Sequence, residues 1–321
     1  MLLKIVLTVA IALAITTSSV TAVDSVKVYT QKAGVALNNK LYRRALDAYT
    51  HVLRLDPDNF EATKNSGVAC ASMGMRDQAR NWYLRALEMD STASSVANNL
   101  GALYSGEGNS IEAIKYYEKA VALDSNNVLH LTNLGQEYAS ANQMNTAMSV
   151  LHRAFALSPD NPIVSYHLGT CFAATANLDS AEFYFEHSAE NGGNVVELFY
   201  HLGTVKNMLR KPVEAESWFK KGITLAPKHT SLLQSLGLVY FATGRYIEAI
   251  EQFRRTIETD STYYPAWMGL GASYSLSQMT PQADTVLSGL MAVDSALGFQ
   301  MLKIISQEQA KRKATRDQSN E

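Results

Sequence analysis

The chain has 321 residues, of which 47% are hydrophobic, and its 28 Lys and Arg residues against 30 Asp and Glu residues leave a net charge of −2. This length and composition can supply a sizeable core, in one large domain or two ordinary ones. The near-neutral charge argues against nucleic acid as the main partner, because binding to phosphates requires a clustered excess of Lys and Arg.

The first 22 residues differ from the rest of the chain. Lys4 precedes the apolar run 5–15, and the polar stretch TTSSVTA follows, with a cleavage site predicted after Ala22. This is the layout of a secretory signal peptide, and the run is shorter than the roughly 20 residues that a spanning helix needs. An uncleaved anchor is the alternative. We therefore expect an exported protein, periplasmic or secreted, without an integral membrane segment after cleavage.

From residue 27 to 297 the sequence repeats itself with a period of 33 or 34 residues. Each period contains a Gly, an Ala eleven or twelve residues later, and a large hydrophobic residue four residues after the Ala. The recurring glycines are Gly34, Gly67, Gly101, Gly135, Gly169, Gly203, Gly237 and Gly271. We predict eight units, over residues 27–59, 60–93, 94–127, 128–161, 162–195, 196–229, 230–263 and 264–297.

Each unit is predicted to form two helices. In the third unit, VANNLGALYS has apolar residues at helical spacing, GEGNS interrupts the pattern, and IEAIKYYEKAVALD resumes it. The Gly and the Ala are expected where the two helices cross, with the large residue filling the gap. In the fifth and sixth units Ser188 and Gly222 replace a usual Ala, and ENGGN replaces the closing Asp-Pro, so we expect a local widening there.

The period and the residues NNLGALY and LLQSLGLVY resemble the tetratricopeptide repeat, whose pattern is W-x2-L-G-x2-Y…A-x3-F…P. The resemblance implies an all-α fold, a right-handed α-solenoid whose first helices line a concave groove. Residues 298–313 are predicted to form a capping helix, with Leu297, Met301, Leu302 and Ile305 on one side. Residues 314–321 are predicted to be a disordered polar tail.

The repeats leave no room for a catalytic domain, and we predict neither enzymatic activity nor a cofactor nor a metal site. His167 and His201 occupy equivalent places in adjacent repeats, too far apart to close a zinc site by themselves. Cys70 and Cys171 lie three repeats apart, beyond the reach of a disulfide, and are expected to be buried free thiols.

The groove is the expected binding surface. If each repeat Gly is position 8, the resemblance places positions 2, 5, 9 and 12 of the first helices in the groove. Only three of these 28 residues in repeats two to eight are charged, which favours an extended peptide held by amides, hydroxyls and small apolar pockets. The candidate binding residues are Asn65, Asn98, Asn99, Asn133, Gln136, Tyr166, His167, Tyr200, His201, Gln234 and Phe241.

Position 6 holds Asn in three consecutive repeats, at Asn65, Asn99 and Asn133. An amide can donate to a carbonyl and accept from an N–H together, so such a ladder could bind the backbone of an extended chain. The alternative is that these residues are solvated or bridge neighbouring helices. Tyr166 and Tyr200 could grip a peptide side chain or a sugar ring.

These features predict a non-enzymatic scaffold or adaptor that binds an extended protein segment, in bacterial envelope assembly or secretion by resemblance. One alternative is a glycan- or peptidoglycan-associated module that uses Tyr166, Tyr200 and Phe241. Another is a regulatory subunit of an envelope enzyme. No residue pattern specifies the partner or the oligomeric state.

Overall fold

The structure is a computed structural model that describes residues 23–319. The predicted signal peptide, residues 1–22, lies outside the described residues. The described chain is all-α, as predicted, and contains 17 helices. They are α1 (23–38), α2 (Tyr42–Leu55), α3 (Phe60–Ser72), α4 (Arg76–Met89), α5 (Ser94–Gly106), α6 (Ser110–Leu123), α7 (Val128–Ser140), α8 (Met144–Leu157), α9 (Pro162–Ala174), α10 (Leu178–Glu190), α11 (Val196–Met208), α12 (Pro212–Leu225), α13 (Thr230–Ala242), α14 (Tyr246–Thr259), α15 (Tyr264–Leu276), α16 (Thr280–Val293) and α17 (Ser295–Ser319).

The first 16 helices pair in chain order, and each pair falls in one of the predicted repeats. The turn inside a pair is short because one residue adopts a positive φ. This residue is a glycine in three pairs, at Gly74, Gly108 and Gly244. Ala176 and Arg210 adopt the same conformation, with φ of 59° and 61°. A left-handed residue after a helix satisfies the last carbonyls and reverses the chain, so the two helices can pack side by side.

The connections between pairs are organised by side-chain hydrogen bonds. Asn59 Oδ1 accepts from the Ala62 N–H at 2.9 Å and caps α3, while Asn59 Nδ2 donates to Asp56 at 2.9 Å. Asn127 and Asp124 repeat this arrangement before α7. Capping satisfies backbone N–H groups that have no partner within the helix, and it therefore sets where each pair begins.

The repeat glycines lie against the large residue of the paired helix, as predicted. A Cβ added at Gly101 would lie 2.6 Å from the Tyr117 ring, and one at Gly169 would lie 2.5 Å from Phe185. Two repeats differ: a Cβ at Gly34 would meet nothing within 4 Å, and one at Gly271 would meet Met301 of α17 at 2.5 Å and Val286 at 2.9 Å instead of Leu287. The first repeat therefore lacks the close helix contact that the predicted packing role requires.

The chain divides into two compact units, one up to Ser158 and one from Pro159. Each unit has several hydrophobic clusters in succession instead of one central core. In the first unit one cluster surrounds Tyr49 and the next surrounds Tyr83; in the second unit they surround Phe185 and Phe253. Each cluster joins residues of neighbouring repeats, which is how stacked repeats bury their apolar faces.

The two replaced Ala positions remain closely packed. Ser188 is 1% exposed and donates to the Pro162 carbonyl at 2.7 Å, and a Cβ at Gly222 would lie 2.8 Å from Leu232. The expected widening is absent at these residues. Space opens at the third feature on which that expectation rested, the ENGGN loop after α10, where Asn194 and Trp218 border a cavity of about 700 Å³.

The last helix packs against the end of the second unit. Met301 is 1% exposed and contacts the position of Gly271, and Ile305 is also buried. Two details differ from prediction. Leu302 is 41% exposed, and α17 extends to Ser319, so residues 314–319 are helical where a disordered tail was predicted. No helix within residues 23–319 is long and apolar enough to cross a membrane.

Candidate functional site

The odd-numbered helices form the candidate binding surface of each unit. They contact one another across repeats, α5 with α7 in the first unit and α11 with α13 in the second. We call their exposed side the inner face. Exposure at the predicted positions 2, 5, 9 and 12 is uneven: Ile163 and Leu238 are 59% and 47% exposed, whereas Asn98, Thr132, Gln234 and Ala272 are buried.

In the second unit a continuous row of aromatic and imidazole rings crosses the inner face. The Tyr166 ring lies 5.3 Å from His167 and 5.9 Å from His201, measured between ring centroids. Tyr200 lies 5.5 Å from His201 and 6.4 Å from His229. These contacts join two successive repeats and reach His229, the residue that precedes α13, so residues about 34 positions apart in the chain form one surface. We call these five residues the ring row.

Two Phe side chains support the ring row from beneath. Phe185, fully buried, lies 5.9 Å from Tyr166 and stacks on His201 at 5.5 Å with planes 6° apart. Phe219 lies 6.5 Å from Tyr200. These are the residues that pack on the repeat glycines. The residues that hold each helix pair together therefore also set the orientation of the rings.

Burial favours the neutral form of three groups in the ring row, His167, His201 and Tyr166. Burial lowers the pKa of His167 to about 4, and burial also lowers the pKa of His201, against the opposing effect of Glu197. Burial and Glu197 raise the pKa of the Tyr166 hydroxyl. Desolvation disfavours the charged form of each group, so the surface offers ring faces and neutral polar atoms.

Polar and apolar groups flank the ring row. Gln234 is 6% exposed, and its Oε1 is buried without a hydrogen-bond partner among the described residues. Ile163 and Leu238 are 59% and 47% exposed at positions 2 and 9. Phe241 lies apart from the row, with its ring 5.4 Å from Tyr246. An unpaired buried acceptor beside exposed apolar groups provides binding capacity that the protein itself does not use.

The inner face of the first unit carries amides instead of rings. Asn133 Nδ2 donates to Asn98 Oδ1 at 2.9 Å, which joins two repeats. Asn98 is buried, Asn99 is half-buried and Gln136 is exposed. Asn65 Nδ2 lies 3.4 Å from Glu61 Oε2 in its own helix.

The three Asn at position 6 therefore have different surroundings. Asn133 bridges two helices, which was the alternative to the ladder, and Asn65 has a partner within its own helix. The Asn98–Asn133 pair still has an N–H and a carbonyl oxygen beyond the bond it makes. The structure thus brings two of the predicted amides together: Asn98, at position 5 of the third repeat, and Asn133, at position 6 of the fourth.

Some of these contacts were missed by the sequence reasoning. His229 ends the ring row, yet it lies outside the predicted groove positions and its Nδ1 caps α13 by accepting from Leu232 N–H at 3.3 Å. Glu137 is buried and accepts from Ser105 at 2.6 Å. The capping role could be inferred from the sequence, but the ring contact depends on the angle between helices.

A second polar cluster lies between α10, α11 and α12. Lys206 Nζ, nearly buried, lies 2.6 Å from Glu182, 2.6 Å from Glu186 and 2.5 Å from Glu214. These three carboxylates are spaced as metal ligands could be. The Lys206 ammonium already lies among them, so the cluster is an ion-pair network that connects three helices. Cys70 and Cys171 are buried and free, as predicted.

Stacked helix pairs joined by left-handed turns, with a Gly packed on a large residue in most pairs, define an α-helical repeat protein. The sequence profile of the tetratricopeptide repeat matches residues 31–94, 94–127 and 230–259. The chain is a tetratricopeptide repeat protein. A search among curated proteins found no match.

Solved structures show the same fold at low sequence identity. YrrB, described as a tetratricopeptide repeat protein with an unusual peptide-binding site, is 22% identical with a TM-score of 0.56, over 60% of this chain and 100% of YrrB. PilW, described as a type IV pilus biogenesis factor, is 21% identical with a TM-score of 0.60, over 66% of this chain and 98% of PilW. A tetratricopeptide repeat protein from Parabacteroides merdae is 15% identical with a TM-score of 0.58, over 78% and 99%.

Proposed function

We propose that this protein is a non-enzymatic scaffold that binds an extended segment of another protein on its inner face. The ring row carries the proposal. Five rings from two successive repeats form one surface, and Ile163 and Leu238 of the same unit are exposed. Rings already held in place by packing lose little conformational entropy when a ligand binds, which favours affinity.

The same surface accounts for the type of ligand. The neutral rings match apolar, aromatic or proline side chains, whereas a highly charged segment would find few charged partners there. The similarity in fold to YrrB, which is described as having a peptide-binding site, supports a peptide ligand.

The cellular setting that we propose is the bacterial envelope, in assembly or secretion. The predicted signal peptide supports export. The fold of PilW, described as a pilus biogenesis factor, supports an assembly role. N-terminal sequencing of the exported protein should begin at Val23; recovery of the intact N-terminus from the cytoplasm would contradict export.

Site-specific photocrosslinking tests the binding surface. A photoreactive phenylalanine in place of Ile163, which lies beside Tyr166 on the inner face, should crosslink one protein, and mass spectrometry should map the crosslink to one linear segment. The same residue in place of Phe183, 56% exposed on α10, is the matched control. Equal capture at both positions would contradict the proposal, and glycan fragments captured at Ile163 would support a glycan-binding module.

A synthetic peptide of the captured segment then tests the residues. We expect the double variant Tyr166→Leu and Tyr200→Leu to weaken binding by about tenfold or more, because the ligand loses its stacking on the two aromatic rings while the apolar area is kept.

The double variant Asn99→Ala and Asn133→Ala tests whether the amides bind the peptide. Weaker binding with unchanged thermal unfolding would assign them to the ligand, whereas a strong shift in unfolding would make them structural.

A further inference from the structure

The outer side of the first repeat differs from the corresponding side of later repeats. In later repeats, position 3 of the first helix packs against the preceding helix pair and is fully buried. This holds within each unit, at Ala62, Val96, Leu198 and Leu232, each 0% exposed. Position 3 of the first repeat is Tyr29, which is only half-buried. Among residues 23–319, nothing covers at the first repeat the stacking surface that a preceding helix pair covers in the later repeats.

The open surface is a groove between α1 and α2 with a volume of about 840 Å³. Its floor is apolar, formed by Tyr29, Ala36 and Ala48 together with Val35 and Leu41, which are 55% and 45% exposed. The Tyr29 and His51 rings lie 3.9 Å apart at one end. We call this groove the first-repeat face. Its shape and floor match a helix, because a helix fills the same place in front of the later repeats.

The rim of the first-repeat face is basic. Lys32, Arg44 and Arg54 line it, against the single acid Asp47. Residues 23–55 contain six Lys and Arg and two Asp, a net charge of +4, whereas the whole chain carries −2. This concentration of positive charge on one exposed edge selects for a ligand of negative charge.

We propose that the first-repeat face docks an acidic amphipathic α-helix of a partner protein. The apolar side of that helix covers Tyr29, Val35 and Leu41, in the position that the second helix of a preceding repeat takes elsewhere. Its carboxylates pair with Lys32, Arg44 and Arg54. This surface includes Val35 at position 9 of the first repeat but no residue of the ring row, and it gives the scaffold a second site for a different class of segment.

Other occupants of the face fit less well. Residues 1–22 of this chain contain no Asp or Glu, so they offer nothing to the basic rim. A second copy would bring two basic rims together, with like charges repelling each other. A flat anionic membrane surface would contact the rim but would leave the apolar groove unfilled.

Two matched peptides test the proposal by fluorescence anisotropy with the full-length mature protein. The parent peptide has the sequence of α4, residues 76–89, stapled on its exposed side because so short a helix is marginal in water. It is a second helix whose Ala86 and Leu87 pack in one cluster with Val96 of the next repeat. The acidic peptide is identical except for R76E, R80E and R85E.

The acidic peptide should bind at least about tenfold more tightly than the parent, and added salt should reduce the difference. Combining K32E, R44E and R54E in the protein should weaken binding of the acidic peptide by about tenfold or more. The control combination K228E, R254E and K303E reverses three exposed charges elsewhere and should leave the affinity within about twofold. Both combined variants should unfold at the wild-type temperature.

Four results would each overturn the proposal. The first two are that the acidic peptide does not bind, or that the two peptides bind equally well. The other two are that the control variant weakens binding as much as the K32E, R44E and R54E variant does, or that Tyr200→Leu weakens binding, which would place the peptide on the inner face. Sedimentation with phosphatidylserine vesicles that is lost in the K32E, R44E and R54E variant, without peptide binding, would assign the face to a membrane. Concentration-dependent dimerisation lost in that variant would assign it to a second copy.

Discussion

Tyr117, Phe185 and Phe219 each press against a glycine of the paired helix, and this contact sets the distance between the two helices. The three side chains are at most 5% exposed. Because the rings are held on several sides, they have little freedom to move away from an added methyl group. The contact also bears on binding, since Phe185 and Phe219 support the ring row.

Gly101→Ala should lower the free energy of unfolding by about 1–3 kcal/mol, because the new Cβ would lie 2.6 Å from the Tyr117 ring. Gly106→Ala is the matched control in the same helix, where a Cβ meets nothing within 4 Å. It should be neutral or stabilise by up to about 1 kcal/mol, because Ala favours helix. Urea denaturation measures both; equal effects would refute the packing argument.

The buried imidazoles make stability depend on pH. His167 has its pKa lowered to about 4 by burial, against an ordinary value of 6.5. In the unfolded chain this imidazole takes up a proton below pH 6.5, whereas in the folded protein it does so only near pH 4. Unfolding therefore binds a proton in this interval, and stability is complete above pH 6.5 and decreases as the pH falls.

We expect the free energy of unfolding to fall between pH 6.5 and pH 4, with roughly 2 kcal/mol of the loss due to His167. His167→Gln should flatten this dependence in urea denaturation across the interval. His152→Gln, on the exposed surface of α8, should keep the wild-type slope. An unchanged slope in the His167 variant would show that its imidazole titrates normally in the folded protein.

Between helices, the Lys206 network connects α10, α11 and α12. Burial disfavours the charged Lys206, but hydrogen bonds to Glu182, Glu186 and Glu214 outweigh this effect and raise its pKa. Lys211 also bonds Glu182. The cluster joins two adjacent repeats through charge, in addition to the apolar contacts around Phe185 and Phe199.

Lys206→Met should destabilise the second unit by about 2–4 kcal/mol, because three carboxylates would lose their central cation while remaining close together. Lys115→Met removes an exposed i,i+3 pair with Glu112 and should leave thermal unfolding unchanged. Comparable shifts in the two variants would mean that the buried network contributes no more than a surface ion pair.

At the scale of the whole molecule, stability is distributed over the interfaces between successive repeats. The last repeat is covered by a further helix, whereas the first is not covered by any of residues 23–319. Met301 and Ile305 of α17 cover the last repeat. The first-repeat face has no such cover among residues 23–319, and Val35 and Leu41 remain exposed. A repeat array loses stability locally when one interface is removed, so the ends are where unfolding should begin.

Met301→Ala should cost about 2–4 kcal/mol, since the side chain is 1% exposed and fills the space at Gly271. Leu302→Ala, at the adjacent and 41% exposed position, should cost far less. Hydrogen exchange should show protection lost first in α15 and α16, with α9 and α10 retained. Uniform loss over the second unit would contradict repeat-by-repeat unfolding.

The helix pairs, their register and most Gly contacts could be predicted from the sequence, because they depend on spacing within one repeat. Gly101 and Tyr117 lie 16 residues apart in a single pair, and the same spacing recurs along the chain. The predicted packing role is wrong at Gly34, in the repeat that is one residue shorter between its helices. The helical residues 314–319 also differ from prediction, since a polar composition alone does not end a helix.

The sequence by itself determined the repeat fold and the burial of Cys70 and Cys171, which follow from the period and its apolar pattern. Only the tertiary structure decided which side chains meet: His229 with Tyr200, Asn133 with Asn98, Lys206 with three carboxylates. Those contacts join residues from different helices, and they depend on the angles at which helices pack and on the rotamers that this packing allows. The first-repeat face was also decided by the tertiary structure. The sequence shows which residues belong to the first repeat, but only the packing of the helices shows that this surface is uncovered among residues 23–319.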